Sequence, residues 1–143
     1  MPFNPKRPKG TDWNADGNIN CNGDLSIQGW STFSSRISTK RVVVPYLTPV
    51  AIDAWLGNLF DVTATDTNAF TIANPVNADA DGQRITITIR NTSGSTLGAV
   101  TWGTLYKLAA WTSPNPGFSR SIDFRYDGSA WVEVSRTPSD VPN

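Results

Sequence analysis

The sequence predicts an all-β protein: an antiparallel β-sandwich, jelly-roll-like, carried behind an extended N-terminal arm and a short β collar. Three observations predict it. Short apolar runs alternate at period two between clusters of Gly, Pro, Asn and Asp, and no stretch holds a convincing helical period. Charged residues make up only 17% of the chain, below the usual quarter, and Thr, Ser, Asn and Gly fill the gap. Gly17, Gly23 and Gly29 recur at a six-residue spacing with paired apolar residues between them. These features divide the 143 residues into an arm at 1–16, a collar and linker at 17–40, and a sandwich knob at 41–143.

The arm opens Met-Pro-Phe-Asn-Pro-Lys-Arg-Pro-Lys-Gly. Its prolines forbid a helix or a central strand, so it reads as an extended segment, disordered or laid along a partner. Phe3 is its one large apolar residue before Trp13, and Lys6, Arg7 and Lys9 carry its charge. In the collar, each glycine hexad sets two apolar residues two apart: Ile19 and Cys21, then Leu25 and Ile27. Spacing of two puts both side chains on one face of a strand. Four such side chains cannot build a core alone, whereas identical chains supplying the other walls can, around a common axis. Two ordinary hairpin strands with glycine turns give the same pattern.

Strand signals follow along the knob. Arg41-Val42-Val43-Val44 is β-branched and is stopped by Pro45. Residues 50–60 fit neither period cleanly and leave room for one helical turn. Phe70-Thr71-Ile72 alternates, and Ile85-Thr86-Ile87-Thr88-Ile89 alternates throughout between Arg84 and Arg90. Val100-Thr101-Trp102 and Leu105-Tyr106-Lys107-Leu108 flank Gly103. Ser121–Tyr126 alternates again, and Asp127-Gly128 is a hairpin signal leading into Trp131-Val132-Glu133-Val134. Residues 136–143 read as a tail. The pattern names strands but not their order.

Composition excludes several functions. Twelve basic and twelve acidic residues cancel, which argues against nucleic acid as a partner. No apolar run reaches membrane-spanning length, so no membrane is expected. The first residues lack the apolar core of a signal peptide, so the expectation is synthesis in a cytoplasm without general secretion. Cys21 is the only cysteine and rules out an internal disulfide; its register makes it a small buried hydrophobe. There is no histidine, which removes the commonest general base and metal ligand.

Two segments match the first half of a calcium loop: Asp12, Asn14, Asp16 and Gly17, then Asn77, Asp79, Asp81 and Gly82. Both lack the closing acid, having Gly23 and Thr88 at the twelfth position, so they read as Asx-rich turns. Asp123 and Glu133 fall on neighbouring strands near Arg125, where cross-strand surface pairing is simpler than acid catalysis. No catalytic, metal or cofactor residues are assigned. Trp102, Trp111 and Trp131 fall in or beside strands, where large rings fill a core. Trp111, beside Pro114, Pro116 and Gly117, is also the best candidate for stacking on a sugar. Trp13, Trp30 and Trp55 lie outside the surest strands and suit a seam between subunits.

Residues 70 to 143 resemble β-sandwich domains in structural proteins of tailed bacteriophages. The matching pieces are Phe70–Pro75, Ile85–Asn91, Gly98–Gly103 and Arg120–Glu133. The resemblance implies a trimeric, non-enzymatic module of the virion surface, on tail fibres or as a decoration (cement) protein on heads. It also implies that the glycine hexads form an intertwined trimer collar, with Ile19, Cys21, Leu25 and Ile27 at the axis. A decoration protein is the first expectation, because the chain begins at Met and has no long shaft. Its partners would be its own copies and the phage major capsid protein, gripped by an anchoring arm of Phe3, Lys6, Arg7 and Lys9. The alternative is a tail-fibre knob that recognises a host surface glycan through Trp111. Either role places the protein on the virion surface after assembly in the host cytoplasm.

Overall fold

The computed structural model describes residues 38–78 and 81–143. The arm and collar, with Phe3, Lys6, Arg7, Lys9, Ile19, Cys21, Leu25 and Ile27, lie outside the described residues. Those described are all-β. The strands are β1 (Arg41–Val44), β2 (Leu59–Ala64), β3 (Phe70–Ile72), β4 (Arg84–Asn91), β5 (Val100–Trp102), β6 (Tyr106–Lys107), β7 (Phe118–Tyr126), β8 (Trp131–Arg136) and β9 (Val141–Pro142). Among the described residues no helix is long and apolar enough to cross a membrane.

The expectation of an antiparallel sheet needs correction. The larger sheet runs β1-β2-β4-β7-β8-β6, with β9 also on β7, and it is mixed. β1, β2 and β4 are parallel neighbours, β4-β7-β8 is antiparallel, and β6 joins β8 in parallel. A second sheet pairs β3 with β5, again in parallel. Residues 50–54 extend it: Val50 bridges Ile72 and Asp53 bridges Val76, both in parallel. The ladder is regular there, with Val50 N donating to Thr71 O at 2.8 Å and Ala73 N to Val50 O at 2.9 Å.

The chain therefore alternates between two layers. It runs β1, residues 50–54, β2, β3, β4 and β5, placing one segment in each sheet per turn. Parallel neighbours cannot be joined by a tight hairpin and need a crossover. Here a strand of the facing sheet serves as the crossover that a helix usually provides. Residues 50–60 accordingly hold no helical turn. Val50, Ile52 and Ala54 are all buried at period two, and the apparent break in period comes from an exposed turn at Trp55 and Leu56.

Burial follows the pleat. The registers align Val42, Phe60, Ile87 and Ile122 in one inward row, and Val44, Val62 and Ile89 in the next. They meet Val50, Ile52, Phe70 and Ile72 of the second sheet in one apolar cluster. At its far end Trp102, Tyr106, Phe124 and Trp111 pack as inclined rings, with centroids 4.9 to 5.7 Å apart. Trp131 is fully buried, as expected of a strand tryptophan.

The outward face is a polar ladder. Thr86 donates to Asp123 at 2.7 Å, Ser135 donates to Asp123 at 2.5 Å, and Thr88 and Ser121 bond at 2.8 Å. Asp123 and Glu133 do not face each other: the β7–β8 register sets Glu133 opposite Phe124 and, across a bulge, Ser135 opposite Asp123. Glu133 instead holds Arg136, whose guanidinium also donates to the Ala109 and Ala110 carbonyls. Residues 136–143 are more than a tail, since Val141 and Pro142 pair with β7 and Arg120 grips Asp140 at 2.5 Å.

Two substitutions probe this packing. A Cβ on Gly98 would sit 2.5 Å from Ala69 N and 2.7 Å from Asn68 C, both backbone atoms. Gly98→Ala is expected to lower unfolding stability by about 1–3 kcal/mol. The buried Tyr106 hydroxyl has no hydrogen-bond partner among the described residues. Tyr106→Phe is expected to raise stability by about 1 kcal/mol. Urea midpoints at unchanged m-value check both.

Candidate functional site

Two places stand out among the described residues, and both belong to the first turn of the coil. The first is a cleft. β1 ends because Pro45 cannot donate to the ladder, and the chain turns through Tyr46 to Pro49, with a cis Thr48-Pro49 bond. Opposite it, β2 ends at Ala64 and residues 65–69 turn into β3. Asp66 organises that turn. Its Oδ1 accepts from Asn68 N at 2.9 Å and from the Tyr46 hydroxyl at 2.9 Å, while Oδ2 accepts from Asn68 Nδ2 at 2.9 Å. This is an Asx turn recruited to tie two loops together. The Tyr46 ring stands edge-on to Phe70, 5.1 Å between centroids. The resulting cavity of about 300 Å³ is bounded by Tyr46, Leu47, Thr48, Thr65, Asp66, Asn68, Ala69 and Phe70.

The electrostatics are those of a neutral donor leaning on a charged acceptor. Partial burial pushes the Tyr46 hydroxyl up to about 12, helped by its hydrogen bond to Asp66 and by that carboxylate's charge. The backbone N–H of Asn68, followed by the Tyr46 hydroxyl, holds Asp66 below the usual carboxylate range. Asp66 is thus ionised and Tyr46 protonated across the whole neutral range.

The second place is the open end of the coil. β1 is the terminal strand of the larger sheet, and no strand among the described residues pairs its outer edge. Four large apolar side chains of this turn are exposed: Val43 (67%), Leu47 (66%), Trp55 (70%) and Leu56 (45%). Gly57 lets the Trp55–Leu56 turn fold back on β1, since a Cβ there would meet the Lys40 carbonyl at 2.7 Å. Beside this edge, on the outward face, the buried carboxylate of Asp61 lies between Arg41, whose Nε donates at 2.6 Å, and Arg90 at 3.6 Å.

The residues singled out from the sequence fall as follows. Trp111 is half-buried, its ring 5.4 Å from Trp102 and 5.8 Å from the Arg136 guanidinium. Pro114 is buried and accepts from the Asn91 side chain at 3.1 Å. Asn77 donates to Asp53 of the neighbouring segment 50–54 at 2.9 Å, and Asp79 lies outside the described residues. Among the described residues no three His, Cys, Asp or Glu side chains gather. The sequence pattern does not single out Tyr46, Asp66 and Asn68, because Asp61 interrupts the apolar run that would announce β2. Without that strand, Asp66-Thr67-Asn68 is one more polar stretch, although its Asx signature was there to read. Comparison of the chain with protein-family models, curated proteins and solved structures finds no match.

The tyrosine supplies a pH test. A folded-state pKa raised from 10 to about 12 gives a contribution that is present below pH 10 and lost as pH rises towards 12. The difference in phenolate absorbance between the parent protein and Tyr46→Phe is expected to show ionisation near pH 12. Asp66→Asn is expected to bring that transition part of the way back to 10, the remainder being held by burial.

Proposed function

We propose that the chain is a non-enzymatic structural protein of a tailed-bacteriophage particle. In this reading it is a capsid decoration protein that binds the head as a homotrimer and stabilises it. The observation that carries the reading is the unfinished first turn of the coil. A terminal strand with an unpaired edge is a template for association unless something covers it. Coiled and repeat folds likewise need their ends capped. Val43, Trp55 and Leu56 add an apolar surface beyond what scattered exposed residues explain.

The remaining parts fit that role. Two facing sheets read as a β-sandwich knob, with the antiparallel β4-β7-β8 half as its jelly-roll-like portion. Residues 17–29 read as the trimer collar, closed by Ile19, Cys21, Leu25 and Ile27. Phe3, Lys6, Arg7 and Lys9 read as the arm that reaches across the major capsid protein and ties its neighbours together. The polar outward face suits permanent exposure on a virion.

Two measurements decide it. The purified protein is expected to have a solution mass three times that of one chain, and Ile19→Asp with Ile27→Asp is expected to reduce it to one. A monomeric parent protein overturns the trimer. Deleting residues 1–12 is expected to abolish co-sedimentation with heads while leaving the trimer intact. Retained attachment overturns the arm's role.

A further inference from the structure

From the cleft between Tyr46 and Asp66 we infer a binding site for one neutral sugar ring, distinct from Trp111 and independent of how the protein assembles. Its volume of about 300 Å³ is at the small end for ligand pockets and suits a single ring.

The wall chemistry narrows the class. Apolar surface comes from Leu47, Phe70 and the Tyr46 ring; polar surface comes from Thr48, Thr65, Asp66 and Asn68. A sugar ring presents that combination, with C–H faces that pack on aromatic and aliphatic groups and hydroxyls that both donate and accept. The Thr48 and Thr65 hydroxyls have no side-chain partner among the described residues and can do either. Asp66 is pre-oriented by Asn68 and Tyr46, so the lone pair left on Oδ2 offers an acceptor in a fixed direction.

Other classes fit worse. An anion would meet the ionised Asp66 with no lysine or arginine lining the cleft to offset it. A cationic amine only donates, so the donor capacity of the Thr48 and Thr65 hydroxyls would go unused. A purely apolar ligand would bury those hydroxyls without partners.

The test is a backbone-amide NMR titration of the full chain with glucose, galactose, rhamnose and N-acetylglucosamine, with ethanolamine and inorganic phosphate alongside. At least one sugar is expected to shift residues 46–48 and 65–70 saturably, while ethanolamine and phosphate leave them in place. Thr65→Val, which keeps the shape and removes the hydroxyl, is expected to weaken that sugar about tenfold with an unchanged melting temperature. The inference is overturned if none of the four sugars moves these amides, if ethanolamine or phosphate moves them instead, or if Thr65→Val binds like the parent. The outcome does not depend on the oligomeric state, so it separates from the assembly proposal.

Discussion

Parallel pairing of β1, β2 and β4 is the constraint on which the rest of this molecule depends. Each parallel step needs the chain to return to its starting end before it can pair again. In this protein the return path is itself a strand, residues 50–54 after β1 and β3 after β2. Residues 50–54 and β3 are these return paths, and β5 continues their sheet in parallel. The inward rows of Val, Phe and Ile on one sheet then meet Val50, Ile52, Phe70 and Ile72 on the other, and the core is closed without a helix.

The same constraint produces the features with functional promise. A coil that winds between layers has two ends. At one end β7, β8 and β6 turn antiparallel or reverse, and the aromatic cluster of Trp102, Tyr106, Phe124 and Trp111 fills the interior. At the other end no described strand pairs the outer edge of β1, apolar residues face outward, and the loop after it leans on the loop after β2. The Tyr46–Asp66 bond belongs to that leaning. The exposed apolar edge and the cleft are therefore products of one topological fact, the lack of a preceding turn among the described residues.

Polar chemistry on this fold is mostly spent on holding loops. Asn91 is buried at the end of β4, yet it satisfies Ser93, Ser95 and Pro114 together. Arg136 binds Glu133 and two carbonyls of the loop before Trp111. Such buried or half-buried groups are tolerable because each finds its partners.

The sequence by itself determined that the described residues are all-β and located most of their strands: Arg41–Val44, Phe70–Ile72, Arg84–Asn91, Val100–Trp102 and the Asp127-Gly128 hairpin between β7 and β8. Those are local properties, because side-chain alternation and turn residues act over a few positions. It did not reveal β2, where Asp61 breaks the apolar run and is buried only because Arg41 and Arg90 flank it. Nor did it reveal residues 50–54, whose partner lies a full turn away. Strand direction, the mixed sheet and the meeting of Tyr46 with Asp66 were decided by tertiary structure alone. Pairing between distant strands depends on which return path buries the most apolar surface, and nothing within a short window of sequence records it.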